Sequence, residues 1–439
     1  MLQTLRNAFK AKEVRTRLLF TLAMLVVIRF GCQLPVPGVD RNFFSEWFKQ
    51  QSGDAFNFFD AFTGGSFLNM SVFALNITPY ITSSIIMQLL TIAIPKLEEM
   101  QRDGEDGRKK IAAITRYVTV GLALIESSAM AIGFGRSGLL EGEAIWLDYI
   151  CVIAALTGGA AFIMWIGEQI TEHGVGNGIS IVLTINIISR MPQDLATLYE
   201  QFVKSASTVT MSVIAAIVII AIILAMVVLV ILLNDGVRKI PVQYAKKMQG
   251  RKTYGGSTSH IPLKINTAGV IPIIFASSLM QFPIVICQLL GYQGTGVWNE
   301  VLKGLNSNNW FNTSIPQYNI GLLVYIVLVI FFAYFYTSIT FNPLEVSGNM
   351  KKQGGFIPGI RPGKPTTDYL TNILNYVIFI GAVGLVIVAI IPIFFNGVFG
   401  ADVSFGGTSL IIIVSVILET IKQIESLMLV RNYKGFLNA

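Results

Sequence analysis

The residue types that do chemistry are few in this chain, and they do not gather. His173 and His260 are the only histidines and stand on separate polar connections. Cys32, Cys151 and Cys287 lie far apart within or beside apolar runs, where a thiol acts as a small hydrophobe. Neither set has the spacing that would wrap a zinc ion or close a structural disulfide. A G-x-G-x-x-G pattern at Gly133, Gly135 and Gly138 follows an apolar segment instead of a strand, so it is not a dinucleotide loop. The string GIRPGK puts Pro365 where a phosphate loop needs Ser or Thr. The chain reads as a protein without a catalytic centre, metal or cofactor.

Charge inside the apolar segments is also scarce. An ion-coupled solute transporter needs carboxylates or histidines near the membrane midplane, because a charge there is expensive and is kept for a purpose. Glu126 is the best candidate and stands without an obvious partner in sequence; Arg29 lies near the end of its segment, where it can snorkel or pair. An intramembrane hydrolase would need a nucleophile and a base, and no histidine falls inside an apolar segment.

Composition fixes what kind of scaffold holds these residues. Of 439 residues, 53% are hydrophobic and 13% are Asp, Glu, Lys or Arg, with a mean hydropathy of +0.64. A soluble domain carries about 25% charged residues, so most of this surface must face lipid. Taking about 20 apolar residues as a membrane crossing, ten spans are expected: Leu18 to Leu34, Met70 to Ala93, Ile111 to Gly133, Tyr149 to Ile166, Gly176 to Ser189, Met211 to Leu233, Thr267 to Leu290, Ile320 to Phe341, Thr371 to Phe395 and Thr408 to Val430. The N-terminus MLQTLRNAFKAKEVRTR is built like a signal peptide, but its apolar run continues to Pro35 with no small-residue cleavage site, so it is expected to stay as the first span. Of the 32 Lys and Arg, 24 fall on the termini and on the four connections that share their side, against six on the other. That asymmetry puts both termini in the cytoplasm and accounts for the net charge of +7. Two connections on that side, residues 234–266 and 342–370, are about 30 residues long where short loops are usual. Their Gly/Pro punctuation and basic charge suit a docking platform as well as a solvated loop.

The chain also repeats itself. PYITSSIIMQ (Pro79 to Gln88) and PIIFASSLMQ (Pro272 to Gln281) agree at five of ten positions, among them Pro79 with Pro272 and Ile81 with Ile274. They sit in the second and seventh spans, equivalent places if residues 1–195 and 196–439 are two halves of five spans related by an inverted duplication. Both prolines are expected mid-membrane, on helices facing a polar partner or cavity. Ahead of the first repeat, NFFDAFTGGSFLNMSVFALN is apolar but too short to cross. It is expected to fold back as a half-helix hinged at Gly64 and Gly65.

The segments RFGCQLPVPGVD, FTGGSFLNMSVFALNITPYITSSIIMQLL, EDGRKKIAAITRY, WIGEQITEHGVGNGISI, INTAGVIPIIFASS, FNPLEVSGNMKKQGGFIPGIRPG and FGGTSLIIIVSVILE resemble, in order and from end to end, the SecY family of protein-export channel subunits. The resemblance implies an all-α polytopic membrane protein with ten spans in two pseudo-symmetric halves around an hourglass pore. It implies an apolar pore ring at Ile77, Ile81, Ile179, Leu183, Ile274 and Ile412. It implies a short re-entrant plug helix of Phe58, Phe59, Asp60, Ala61, Phe62, Thr63, Gly64, Gly65, Ser66, Phe67 and Leu68, and a lateral gate with Gln88 and Asn266. It places Lys246, Lys247, Arg251, Lys252 and Arg361 on loops that the motor ATPase SecA and the ribosome engage. The implied companions are the membrane subunits SecE and SecG, an unfolded precursor with its signal sequence, and lipid; the implied location is the bacterial plasma membrane. Asn76 departs from the family pattern, which has Gly before Ile-x-Pro.

Overall fold

A backbone inside lipid has to satisfy its own polar groups, so long apolar runs become helices. The computed structural model describes residues 9–39, 44, 63–136, 146–204, 209–244, 247–249, 252–254, 258–289, 296–306, 309–311, 316–399 and 407–437. They form two compact units: Met1–Thr197 with Val285–Thr295 and Val416–Ala439, and Leu198–Ile284 with Gly296–Ser415. By length and composition the segments Glu105–Gly135, Trp146–His173, Thr210–Asp235, Pro316–Lys352 and Lys364–Phe395 can each cross a membrane.

In the first unit the chain runs through α1 (Lys12–Gly31), α2 (Thr78–Ala93), α3 (Pro95–Arg102), α4 (Glu105–Arg136), α5 (Trp146–His173) and α6 (Gly178–Leu198). Pro95 sets the break between α2 and α3, which meet at 105° and count as a sixth crossing if taken together. α4 packs on α2 and α5, and α1 on α5. Beneath them lies a cluster that includes Phe44, Phe67, Met70, Phe134, Leu156 and Ala160. Phe44 meets Phe134 edge-on at 5.1 Å and Phe67 at 6.0 Å.

One expectation fails here. The Met70 to Ala93 span is not one helix: residues 64–77 pass through successive turns, tied by an antiparallel bridge between Pro35 and Ser71, and the helix starts at Thr78. Proline belongs in a first turn, where its missing N–H costs nothing. Pro79 and Pro272 are each the second residue of their helix. Of the expected plug, Thr63 is helical and Gly64 to Leu68 are turns, with Gly64 (φ 66°) and Gly65 (φ 84°) out of helical space at the expected hinge. Phe58, Phe59, Asp60, Ala61 and Phe62 lie outside the described residues.

The second unit contains α7 (Val209–Asp235), α8 (Ile271–Leu289), α9 (Val297–Leu305), α10 (Asn319–Thr340), α11 (Pro343–Lys352) and α12 (Lys364–Phe399); α13 (Gly407–Leu437) closes the described chain. α12 packs on α7, α10 and α11. Trp310, Tyr325, Val329, Ile273, Ala276, Leu385 and Ile411 share one core cluster.

The helical fold carries a small β addition. Between α7 and α8 the chain forms β1 (Val237–Tyr244), β2 (Lys247–Gln249), β3 (Lys252–Tyr254) and β4 (Thr258–Lys264). β1 pairs antiparallel with β4, with Ile240 opposite Ile261, and with β5 (Gly355–Phe356), which follows α11. β2 pairs with β3 at the hairpin's far end. Ile240, Val242 and Leu263 are buried with Met350, Ile357 and Leu370 in one small core. The two long connections therefore make a single folded body.

Candidate functional site

Asn177, just before α6, accepts through Oδ1 from the backbone N–H of Ile179 (3.2 Å) and of Ser180 (3.4 Å), a cap that starts the helix. Ile179 and Leu183 then follow four residues apart on one helical face, Ile179 half-buried and Leu183 buried. Ile77, buried, and Ile81, half-buried, stand in the same relation at the start of α2, where the Ile81 N–H donates to the Ile77 carbonyl at 3.1 Å. The chain segments carrying these two pairs are joined: Nδ2 of Asn186 donates to Oδ1 of Asn76 at 3.1 Å, with both residues buried. In the second unit Ile274 is half-buried on α8 and Ile412 buried on α13. Their neighbours Ile273 and Ile411 pack in the same core cluster.

Glycine at residue 64 is a steric necessity. A Cβ there would lie 2.7 Å from the backbone oxygen of Asn186. The guanidinium of Arg29 donates to the Gly64 carbonyl at 3.4 Å, so this cation is engaged within its own chain. Phe67 and Thr63 are buried, and the Phe67 N–H donates to Thr63 Oγ1 at 3.3 Å. The described part of the expected plug is thus anchored in the first unit's core.

Of the two polar gate candidates, Gln88 is half-buried on α2 and Asn266 is buried. Nδ2 of Asn266 donates to Oδ1 of Asn234 at 2.9 Å, and Nδ2 of Asn234 donates to Oγ of Ser415 at 2.7 Å. This relay fastens the start of α8 to α7 and α13.

Arg361 is exposed on a turn between Gly359 (φ 83°) and Gly363 (φ 108°). Its carbonyl accepts from Thr366 Oγ1 at 2.8 Å, and the Gly363 carbonyl accepts from Ser347 Oγ at 3.2 Å. The guanidinium therefore projects from a loop pinned to both α11 and α12. α11 itself begins at Asn342, whose Oδ1 accepts from the N–H groups of Leu344 and Glu345, with Pro343 following the cap. Lys247 opens β2 and Lys252 opens β3, whereas Lys246 and Arg251 lie outside the described residues. Sequence reasoning missed the shared core beneath this platform. Its signal was present in the alternation of Ile240 with Val242 and of Ile261 with Leu263.

Residues 71–421 match the family model SecY. The chain belongs to the SecY family. A relative from Streptomyces scabiei, "Protein translocase subunit SecY", is 42% identical over the whole of both chains. A solved structure described as "The structure of a protein conducting channel" superposes with a TM-score of 0.62 at 17% identity, covering 94% of this chain and 92% of its own. A second, "Sec61 in the Canine ribosome-channel complex from the endoplasmic reticulum", gives 0.61 at 17% identity over 94% and 92%. These two likenesses carry the fold, that of a multi-pass helical membrane protein. Asn76, the departure from the SecY pattern, has φ 51°, the left-handed region in which Gly is at ease and Asn is among the few other residues accepted.

Proposed function

We propose that this chain is the channel-forming subunit of a protein-export translocon, passing unfolded secretory polypeptides across the plasma membrane and releasing signal sequences and membrane segments sideways into lipid. The observation that carries this reading is the SecY match over residues 71–421, together with 42% identity to a translocase subunit along the full length. Ten spans in two halves, with both termini cytoplasmic, follow from the hydropathy profile and the Lys/Arg asymmetry. The equivalent placing of Pro79 and Pro272 in first turns supports the inverted duplication.

Ile77, Ile81, Ile179, Leu183, Ile274 and Ile412 form the constriction. An apolar ring closes around a chain without selecting among side chains, and it dewets when empty. The segment from Phe58 to Leu68 stops the pore from outside, and Gln88 and Asn266 lie at the lateral gate. Lys246, Lys247, Arg251, Lys252 and Arg361 dock SecA or the ribosome, while SecE and SecG complete the complex. Work is supplied by those partners, so the channel itself requires no catalytic centre. The rival reading, an ion-coupled solute transporter, is dropped: its one candidate carboxylate, Glu126, belongs to a chain whose relatives are protein translocase subunits. A photo-crosslinker at Ile274 should capture a secretory precursor only while translocation is under way. Capture that is absent, or that persists without translocation, would overturn the assignment.

A further inference from the structure

Three residues before the first-turn proline of α2 and of α8, the backbone turns left-handed, at Asn76 (φ 51°) and at Gly269 (φ 63°). The two repeats thus share one backbone device, and only the first hangs a side chain on it. That side chain is 2% exposed and accepts the hydrogen bond from Asn186, itself 1% exposed. Asn186 lies three residues beyond Leu183 and seven beyond Ile179, on their face of α6. Asn76 immediately precedes Ile77. Around this bond, Gly64 abuts the Asn186 backbone and is held in turn by Arg29. The amide oxygen of Asn186 is buried without a hydrogen-bond partner among the described residues. A buried amide that gains one bond and forfeits another is a fastening that releases readily, in contrast to a fully satisfied network.

We propose that Asn76 and Asn186 are positioning residues of the channel: their buried hydrogen bond holds Ile77 and Leu183 in the resting register, and its release is part of opening. This rests on the channel reading above. The second repeat supplies the variant that tests it. Asn76→Gly keeps the left-handed turn, as Gly269 does, and removes only the amide; Asn186→Ala removes the donor from a helix that tolerates alanine.

The full complex, reconstituted in planar bilayers and in vesicles, gives two readouts: resting ion conductance, and motor-driven import of a precursor with a crippled signal sequence. Each single variant should raise both about fivefold, the change in a closed-to-open ratio that one hydrogen bond controls. Import of an intact precursor should be unchanged. The double variant should go no further than either single, since both remove the same bond. Asn76→Gly behaving as wild type on both readouts, or a double variant that multiplies the single effects, would overturn the pairing; the first comparison stands even if Asn186→Ala fails to assemble. A wild-type complex that imports no precursor would refute the channel reading instead.

Discussion

Arg361 shows how a single exposed charge can be made directional. Two glycines with positive φ flank it, and hydrogen bonds from Thr366 and Ser347 pin its loop, so the guanidinium is presented in one place. Its planar fork suits a carboxylate, a carbonyl or an RNA phosphate in a way that a lysine ammonium does not. Arg361→Glu should stop motor-driven import while leaving resting conductance and assembly with SecE near normal, and Arg361→Lys should be partly defective. Lys351→Glu, a change of equal charge on the last turn of α11, is the control. Equal import into vesicles carrying either glutamate would show that Arg361 is only one of many cytoplasmic charges. The functional residues were legible to different degrees. The Asn76 departure could be seen in the sequence, but its left-handed backbone and its partner, 110 positions along the chain, could not, because a tertiary hydrogen bond leaves no local pattern.

At the scale of elements, hydropathy located the long spans well and their ends less well. Residues 70–77 are as apolar as a helix, so composition alone could not separate turns from span; the deciding signal was Pro79, which marks a first turn. The hairpin was missed for the opposite reason. Lysine, proline and glycine punctuate residues 234–266 throughout, and they masked the four alternating apolar residues. α9 has a fastening of its own: Tyr318 Oη donates to Glu300 Oε2 at 2.6 Å, and Lys303 Nζ lies 3.3 Å from Oε1. The Tyr318 hydroxyl, and then Lys303, hold the Glu300 carboxyl below its ordinary value of 4.5. A depressed carboxyl contributes stability above that value and loses it as acid carries the pH down through the folded value. The thermal midpoint of wild type should therefore exceed that of Tyr318→Phe at neutral pH, and the gap should close below about pH 4.5. Coincident midpoints at neutral pH would show that the bond does not hold α9.

For the whole molecule, the proposed orientation rests on the Lys/Arg asymmetry. In a cysteine-free background, single cysteines replacing Lys239 on β1 or Lys351 on α11 should react with a membrane-impermeant thiol reagent only from the cytoplasmic side, and one replacing Lys303 on α9 only from the other. Labelling of Lys239→Cys and Lys303→Cys from the same side would refute the topology. The repeat itself was legible in the sequence, since five identities in ten survive where the helix start is shared. The joining of two distant connections into one body was not, because residues 240 and 357 meet only through folding.

The body they form has an edge. β4 lies at the margin of the sheet order β4-β1-β5, and an open strand margin is a template for any extended chain that comes near. The proposed cargo is extended, unfolded polypeptide, and the proposed topology brings it to the side where that margin lies. β4 carries Pro262, which offers no N–H, and ends in the exposed Lys264; β1 carries Pro241, and β5 is two residues long. Each of these features discourages strand addition. On the proposed docking role, a precursor would pass this sheet without being caught in it.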